Sequence, residues 1–234
     1  MSLRVFVDPP VTPGAELTLD ADESHYLCRV RRAGADAACE LIDGTGGLWA
    51  ATVRRADPRA AIVVADARLE PVGPARSVEL WLGLPEAPAC LEALTRASEL
   101  GVSAITLVAC ARSQGRAPTP ARIDRVLRAA QRQCGRPRPP IVAGPRPLAA
   151  ALADARTHEV ARFVAWEALR GASAGAPTLA PGAPALLLVG PPGGFTEPEI
   201  AAVRDERFTA LGLGPWTLRT ETAAIVGLTR LLFA

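Results

Sequence analysis

The chain has 234 residues, 49% of them apolar, with 26 basic residues against 24 acidic ones and a net charge of +2. That is enough apolar material for a globular protein of one domain, or of a small domain followed by a larger one. Every basic residue is arginine, and since a Walker-type phosphate loop and a pyridoxal phosphate Schiff base each need a lysine, neither chemistry operates here.

No stretch approaches the roughly 20 apolar residues of a membrane span, and Met1 to Asp8 lacks the apolar run of a signal peptide, so a cytoplasmic location is expected. The five cysteines (Cys28, Cys39, Cys90, Cys110, Cys134) are odd in number and widely spread, and His25 and His158 are the only histidines. This argues against a metal site or a disulfide framework.

From Leu3 to about Glu70 apolar residues recur mostly at period two, in Leu17–Leu19, Cys39–Ile42, Leu48–Val53 and Ala61–Val64. These predict short strands. Asp43-Gly44-Thr45-Gly46-Gly47 predicts a hairpin loop, and Asp20 or Asp22 predicts the cap of a short helix over Ser24 to Arg31. Together they predict a small β-barrel with one helix. Pro71 to Arg76 breaks both periodicities and is the expected linker.

Beyond it the rhythm becomes βαβ. Val78–Leu84 predicts a strand, Ala89–Leu100 a helix stopped by Gly101, and Ala104–Ala109 a strand. Thr119 and Pro120 open a helix to about Cys134, Pro147 opens another to about Ala155, and Val160–Ala165 predicts a strand. An Ala/Gly/Pro loop over Gly171 to Pro184 follows. The buried run Leu186 to Val189 then enters Gly190-Pro191-Pro192-Gly193-Gly194, and Thr196 with Glu197, Pro198 and Glu199 predicts an N-cap and first helical turn. A short strand Trp216–Leu218 and a last helix from about Glu221, capped by Thr220, complete a parallel sheet with helices on both faces.

Two constellations carry chemistry. Strand, glycine-rich turn and helix form the unit at which open α/β sheets bind ligands, because glycine lets a ligand approach the backbone and proline pre-sets the turn. The other is charge. Arg122, Arg125, Arg128 and Arg132 fall within a helical stripe about 120° wide. With Arg112, Arg116, Arg136 and Arg138, eight arginines over residues 112–138 stand against the single Asp124. The asymmetry points to a polyanion. A weaker basic set in the β region, Arg29, Arg31, Arg32, Arg54, Arg55 and Arg59, is partly balanced by Asp36 and Asp57. Aromatic residues for stacking on bases are few, Tyr26 and Trp49 being the main candidates.

Taken together the residues resemble the RsmE family, SPOUT-class methyltransferases acting on a uridine of small-subunit ribosomal RNA. The resemblance lies in His25-Tyr26-Leu27-Cys28-Arg29-Val30-Arg31, Asp43-Gly44, Ala97-Ser98-Glu99-Leu100-Gly101-Val102, Arg112-Ser113 and Gln133-Cys134-Gly135-Arg136 before Pro140. Most specific are Val189 to Phe195 and Leu218-Arg219-Thr220-Glu221-Thr222-Ala223.

The resemblance implies an α/β protein, with a PUA-like RNA-binding β-barrel over residues 1–72 and a SPOUT domain over residues 73–234 that has a parallel sheet and a deep C-terminal trefoil knot. It implies a homodimer, S-adenosylmethionine as cofactor, and 16S rRNA or an assembled small subunit as substrate, methylated at uridine N3. Leu188, Val189, Gly190, Pro191, Gly193 and Gly194, with Leu211, Gly212, Leu213, Gly214 and Leu218, are then the expected cofactor residues. Arg29, Arg31, Arg112, Arg122, Arg125, Arg132 and Arg136 are expected on RNA. Arg219 is the expected stabiliser of charge on the uracil ring. For the base, Glu221, Glu197, water and a group of the other subunit stay open. A related knotted enzyme acting on a ribose hydroxyl or a tRNA base, and an assembly protein without catalysis, are the alternatives. The family loop usually reads Gly-Pro-Glu-Gly-Gly where this chain has Pro192, and it commonly has a lysine where this chain has Leu84-Pro85-Glu86.

Overall fold

The computed structural model describes residues 2–155, 159–166 and 179–233. Residues 171–178 of the expected Ala/Gly/Pro loop lie outside them. The chain divides into a first unit of Met1–Val72 with Gln131–Pro139, and a second of Gly73–Ala130 with Pro140–Ala234.

The first unit is a curled five-stranded sheet in the order β1-β3-β4-β5-β2, formed by β1 (Arg4–Phe6), β2 (Glu16–Thr18), β3 (Ala38–Ile42), β4 (Leu48–Arg55) and β5 (Ile62–Leu69). β1 runs parallel to β3 and the other pairs are antiparallel. Irregularities at Ala50/Ala51 and Val53/Arg55 bend β4. Its period-two pattern turns Trp49, Ala51 and Val53 inward, onto Val5, Leu27, Leu41 and Val63. Helix α1 (Ala21–His25) starts earlier than predicted because Asp20 is the cap, accepting from Glu23 N at 2.7 Å, and it continues as a π-helical turn over Tyr26–Val30.

The second unit is a six-stranded, all-parallel sheet in the order β11-β9-β10-β6-β7-β8. Its strands are β6 (Val78–Gly83), β7 (Ala104–Ala109), β8 (Ile141–Pro147), β9 (Ala161–Ala165), β10 (Ala185–Val189) and β11 (Thr209–Leu211). Alternation along the buried strand β10 sorts two cores. Leu187 and Val189 join α2 (Ala87–Leu100), α3 (Pro120–Cys134) and α6 (Thr220–Leu232) on one face. Leu186 and Leu188 join α4 (Leu148–Ala155) and α5 (Glu197–Asp205) on the other. A sheet covered on both faces is what parallel pairing requires.

Two elements differ from expectation. The strand predicted at Trp216–Leu218 does not form; the edge partner of β9 is β11, with Leu211 beside Ala165, and residues 212–219 run as an irregular crossing into α6. An additional strand, β8, was hidden by Gly144, Pro145 and Pro147. It lies at the sheet edge, where proline costs no ladder hydrogen bond.

Candidate functional site

All six strands of the second unit point the same way, so the segments leaving their C-terminal ends gather at one edge of the sheet. The chain builds outward from β6 through β7 and β8, then returns to the far side of β6 for β10, β9 and β11. A cleft of about 720 Å³ opens where that order reverses. It is lined by Pro85 and Glu86 after β6, Gln114 after β7, Ala165 and Trp166 from β9, Val189 to Gly194 after β10, and Leu213, Gly214 and Trp216 to Glu221 before and within α6.

The glycine loop is tight and held from outside. Gly194 N donates to Pro191 O at 2.8 Å, with Gly194 at φ +70. Arg112 Nη1 donates to the carbonyls of Gly193 (3.2 Å) and Phe195 (3.4 Å). Below it the predicted Thr196 cap is a full capping box: Thr196 N donates to Glu199 Oε2 at 2.9 Å, and Glu199 N donates back to Thr196 Oγ1 at 3.4 Å. The other Glu199 oxygen accepts from Ala111 N at 2.7 Å. Burial works to raise the Glu199 pKa, but the bonds from Thr196 and Ala111 and the charge of Arg112 outweigh it and hold the carboxyl below its ordinary value. Burial and then the Glu199 charge push the thiol of Cys110, next to this clasp, up to about 12, which works against a nucleophilic role.

The two specific motifs meet directly. Thr220 is not the helix cap; Arg219 holds the cap position, and the Thr220 hydroxyl donates to Gly190 O at 3.1 Å. Beneath the loop, Gly83 ends β6 with no room to spare, since a Cβ there would stand 2.4 Å from Pro191 N.

Of the expected cofactor residues, Val189, Gly190, Pro191, Gly193, Gly194, Leu213, Gly214 and Leu218 line the cleft, as do Arg219 and Glu221. Leu188 and Leu211 do not; both are buried, Leu188 against α4 and α5 and Leu211 on the α6 side of the sheet. Gly212 is buried and its carbonyl accepts from Arg230. Glu197 is exposed and outside the lining. Sequence reasoning missed Pro85, Glu86, Trp166 and Trp216, the last 80% exposed at the cleft. The available signal was position, since Pro85, Glu86 and Trp166 follow C-terminal strand ends.

Of the seven expected RNA arginines, Arg112 is the one that donates to the carbonyls of Gly193 and Phe195, and the other six separate into two groups. Arg29, Arg122 and Arg125 are exposed. Arg132 instead pairs with Glu23 at 2.5 Å and lies over the rings of Tyr26 (3.9 Å) and Phe6 (5.2 Å). Glu23, 4% exposed, also accepts from Phe6 N at 3.1 Å, so this arginine neutralises a buried carboxylate of the first unit. Arg136 donates to Arg138 O at 2.5 Å and burial lowers its pKa; Arg31 leans on the Tyr26 hydroxyl at 3.2 Å. Among the described residues no group of His, Cys, Asp and Glu is arranged to hold a metal ion, and no helix is long and apolar enough to cross a membrane.

Comparison with known proteins places two family models on the chain: an RNA methyltransferase domain over residues 73–232 and an RNA methyltransferase PUA domain over residues 19–66. The ribosomal RNA small subunit methyltransferase E of Mycobacterium bovis is 31% identical, over 97% of this chain and 90% of its own length. Among solved structures, a ribosomal RNA small subunit methyltransferase E from Neisseria gonorrhoeae bound to S-adenosyl methionine shares the fold, with a TM-score of 0.84 at 22% identity over 99% of this chain and 97% of that one. A probable rRNA-methyltransferase from Porphyromonas gingivalis gives 0.80 at 26% identity, over 92% and 91%.

Proposed function

The chain belongs to the RNA methyltransferase family of the small-subunit methyltransferase E type, and from that premise we propose that it methylates N3 of a uridine in 16S rRNA, with S-adenosylmethionine as donor. The observation that carries this reading is the meeting of the Gly190 loop and the Arg219 motif in one cleft, joined by the Thr220 hydroxyl.

The cleft fits the donor. Its volume of about 720 Å³ lies within the range of about 300–1,000 Å³ usual for small-molecule sites. Among the described residues its lining holds one cation, Arg219, and two carboxylates, Glu86 and Glu221, beside backbone and apolar groups. A ligand with a carboxylate, an ammonium and a sulfonium, and with no phosphate, matches that set. When bound, S-adenosylmethionine supplies a methyl group already activated on sulfur.

The protein's own residues position and manage charge. Val189 to Gly194 line the cleft together with Leu213, Gly214 and Trp216 to Leu218, and Arg112 and Thr220 fix the first of these segments. Uracil must lose its N3 proton as the methyl group arrives, so negative charge spreads onto the flanking carbonyl oxygens. Arg219, at the start of α6 and exposed to the cleft, is placed to hold that charge. Glu221 takes the proton in this scheme, since it lines the cleft and Glu197 does not. The exposed Arg122 and Arg125 belong to the RNA-binding part of the same reading.

The same premise extends to a PUA-like barrel and methyltransferase boundary near residue 72, a trefoil knot at the C-terminus, a homodimer and a cytoplasmic location. A chain trace in an experimental density map tests the knot, and sedimentation tests the dimer. Pro192, in the acidic position of the family loop, and Pro85-Glu86, in the segment where the family commonly has a lysine, line the cleft, which favours as second reading an RNA-binding assembly protein that does not transfer methyl groups. Calorimetry separates the two: the pure protein binds S-adenosylmethionine if the first is right. Mass-spectrometric mapping of 16S rRNA from a deletion strain then decides the target, and a full set of methylated uridines in that strain rejects the N3 assignment.

A further inference from the structure

The Asp43–Gly47 hairpin between β3 and β4 does more than reverse the chain. Asp43 Oδ1 accepts from Thr45 N (2.8 Å), Gly47 N (2.8 Å) and the Thr45 hydroxyl (3.0 Å). Burial works to raise this carboxyl's pKa, but the bonds from Gly47 and Thr45 outweigh it and hold it below the usual aspartate value. Loop donors thus match the charge, and among the described residues no ion pair joins Asp43 to an arginine.

Locked in this way, the loop turns the Thr45 carbonyl toward Arg138, whose Nε donates to it at 3.1 Å and whose Nη2 donates as well. Gly46, at φ +115, permits the approach, since a Cβ there would stand 3.1 Å from Arg138 Nη2. Arg138 is exposed and forms no ion pair among the described residues. The same is true of Arg68, whose guanidinium stands 6.0 Å from the Trp49 ring centroid. Both arginines line one hollow of about 330 Å³ in the first unit, together with Pro10, Thr45, Gly46 and Trp49.

Two guanidinium groups face one open hollow, one of them fixed by a carbonyl, and the nearby carboxylate is already satisfied. Such a hollow attracts an anion. Guanidinium forks match phosphate oxygens, and Trp49 and Pro10 give an apolar wall for an adjoining sugar or base. We propose that this hollow binds a phosphodiester of the RNA substrate, held by Arg68 and Arg138. The proposal rests on RNA being the substrate, and it gives the first unit a phosphate contact that charge patterning had assigned to Arg31, Arg132 and Arg136, which are engaged within the unit.

The test uses the full-length protein, a fluorescein-labelled 24-nucleotide RNA hairpin as probe, and the variants Arg68→Ala, Arg138→Ala and their double. Arg96→Ala, which breaks only the exposed pair with Glu99, serves as control. Each pocket variant is expected to lower the slope of log affinity against log salt by about 1, and the double to weaken binding on the order of 10- to 100-fold at 100 mM salt. The control is expected to leave the slope unchanged. Arg68→Ala decides the matter if Arg138→Ala fails to fold, because Arg68 makes none of the hairpin's hydrogen bonds. Slopes equal to wild type in the pocket variants overturn the proposal. So does binding of inorganic phosphate at 10 mM, read by calorimetry, that is lost in the double variant while hairpin affinity is unchanged, since the hollow is then a free-anion site. Calorimetry with S-adenosylmethionine runs in parallel: a wild type that binds RNA through these arginines but takes up no S-adenosylmethionine keeps this site and removes the methyl-transfer reading.

Discussion

Two turns of similar composition, Asp43–Gly47 in the first unit and Gly190–Gly194 in the second, draw on local and remote supports in different proportion. The first is stapled mainly from within, by an aspartate bonded to residues two and four positions on, with Arg138, 93 positions away, added on the Thr45 carbonyl. The second is held from far along the chain: by Arg112, by the Glu199 bond to Ala111, by Thr220, and from below by the bare Cα of Gly83. A turn with a local staple forms with its own hairpin and tolerates change elsewhere. A turn with remote supports reports on the whole sheet, which suits a cleft that must be complete before it can bind.

The contrast orders the effects of substitution. Arg219→Ala removes the one cation that lines the cleft among the described residues and is expected to cut methyl transfer by about 10²- to 10³-fold, measured in single turnovers with S-adenosylmethionine saturating; a loss under fivefold breaks the role given to Arg219. Next, Gly83→Ala pushes a Cβ into Pro191. Overpacking of this kind costs about 1–3 kcal/mol, or a melting temperature lower by about 2–12 °C, and calorimetry should show weakened S-adenosylmethionine binding even where the protein remains folded.

Glu199→Ala removes the capping box and the bond to Ala111, at about 0.5–2 kcal/mol. Glu199→Gln keeps a box acceptor but not the charge, which isolates the pH dependence. Because the folded pKa is held below the ordinary value of 4.5, the stability contributed by Glu199 is present above that value and fades as pH falls through the folded pKa. Denaturant melts from pH 6 to pH 3 should show a shallower decline for the Gln variant, and parallel curves would remove the charge from the account. Smallest of all, Asp43→Asn keeps an acceptor oxygen and is expected to cost about 0.5–1.5 kcal/mol, with S-adenosylmethionine binding as in wild type. If it weakened that binding as much as Gly83→Ala does, the distinction between local and remote support would fail.

Sequence legibility follows the same division. The Thr196 cap, the stop at Gly101 and the boundaries of α3 were readable because their causes lie within a few residues. The strand expected at Trp216–Leu218 was not real, since three alternating residues carry too little pattern to outweigh the pairing of Thr209–Leu211 with β9. Thr220 looks like a cap in sequence, yet its hydroxyl has a stronger claim at Gly190. Arg132 sits on a basic stripe, but its partner Glu23 is 109 positions away, where no helical wheel reaches. Pro85 and Pro192, separate departures in the alphabet of the chain, line one cleft and are better treated as a single change of its chemistry.

The hydrogen bond from Thr220 to Gly190 also has a consequence in time. Thirty positions separate its two ends, so at roughly 5–20 residues per second a nascent chain carries its glycine loop for a few seconds before the residue that fastens it has been made. During that interval the loop lacks this support, and a chain arrested with its residues up to about 210 outside the ribosome should not bind S-adenosylmethionine, because the lining from Leu213 to Glu221 is missing.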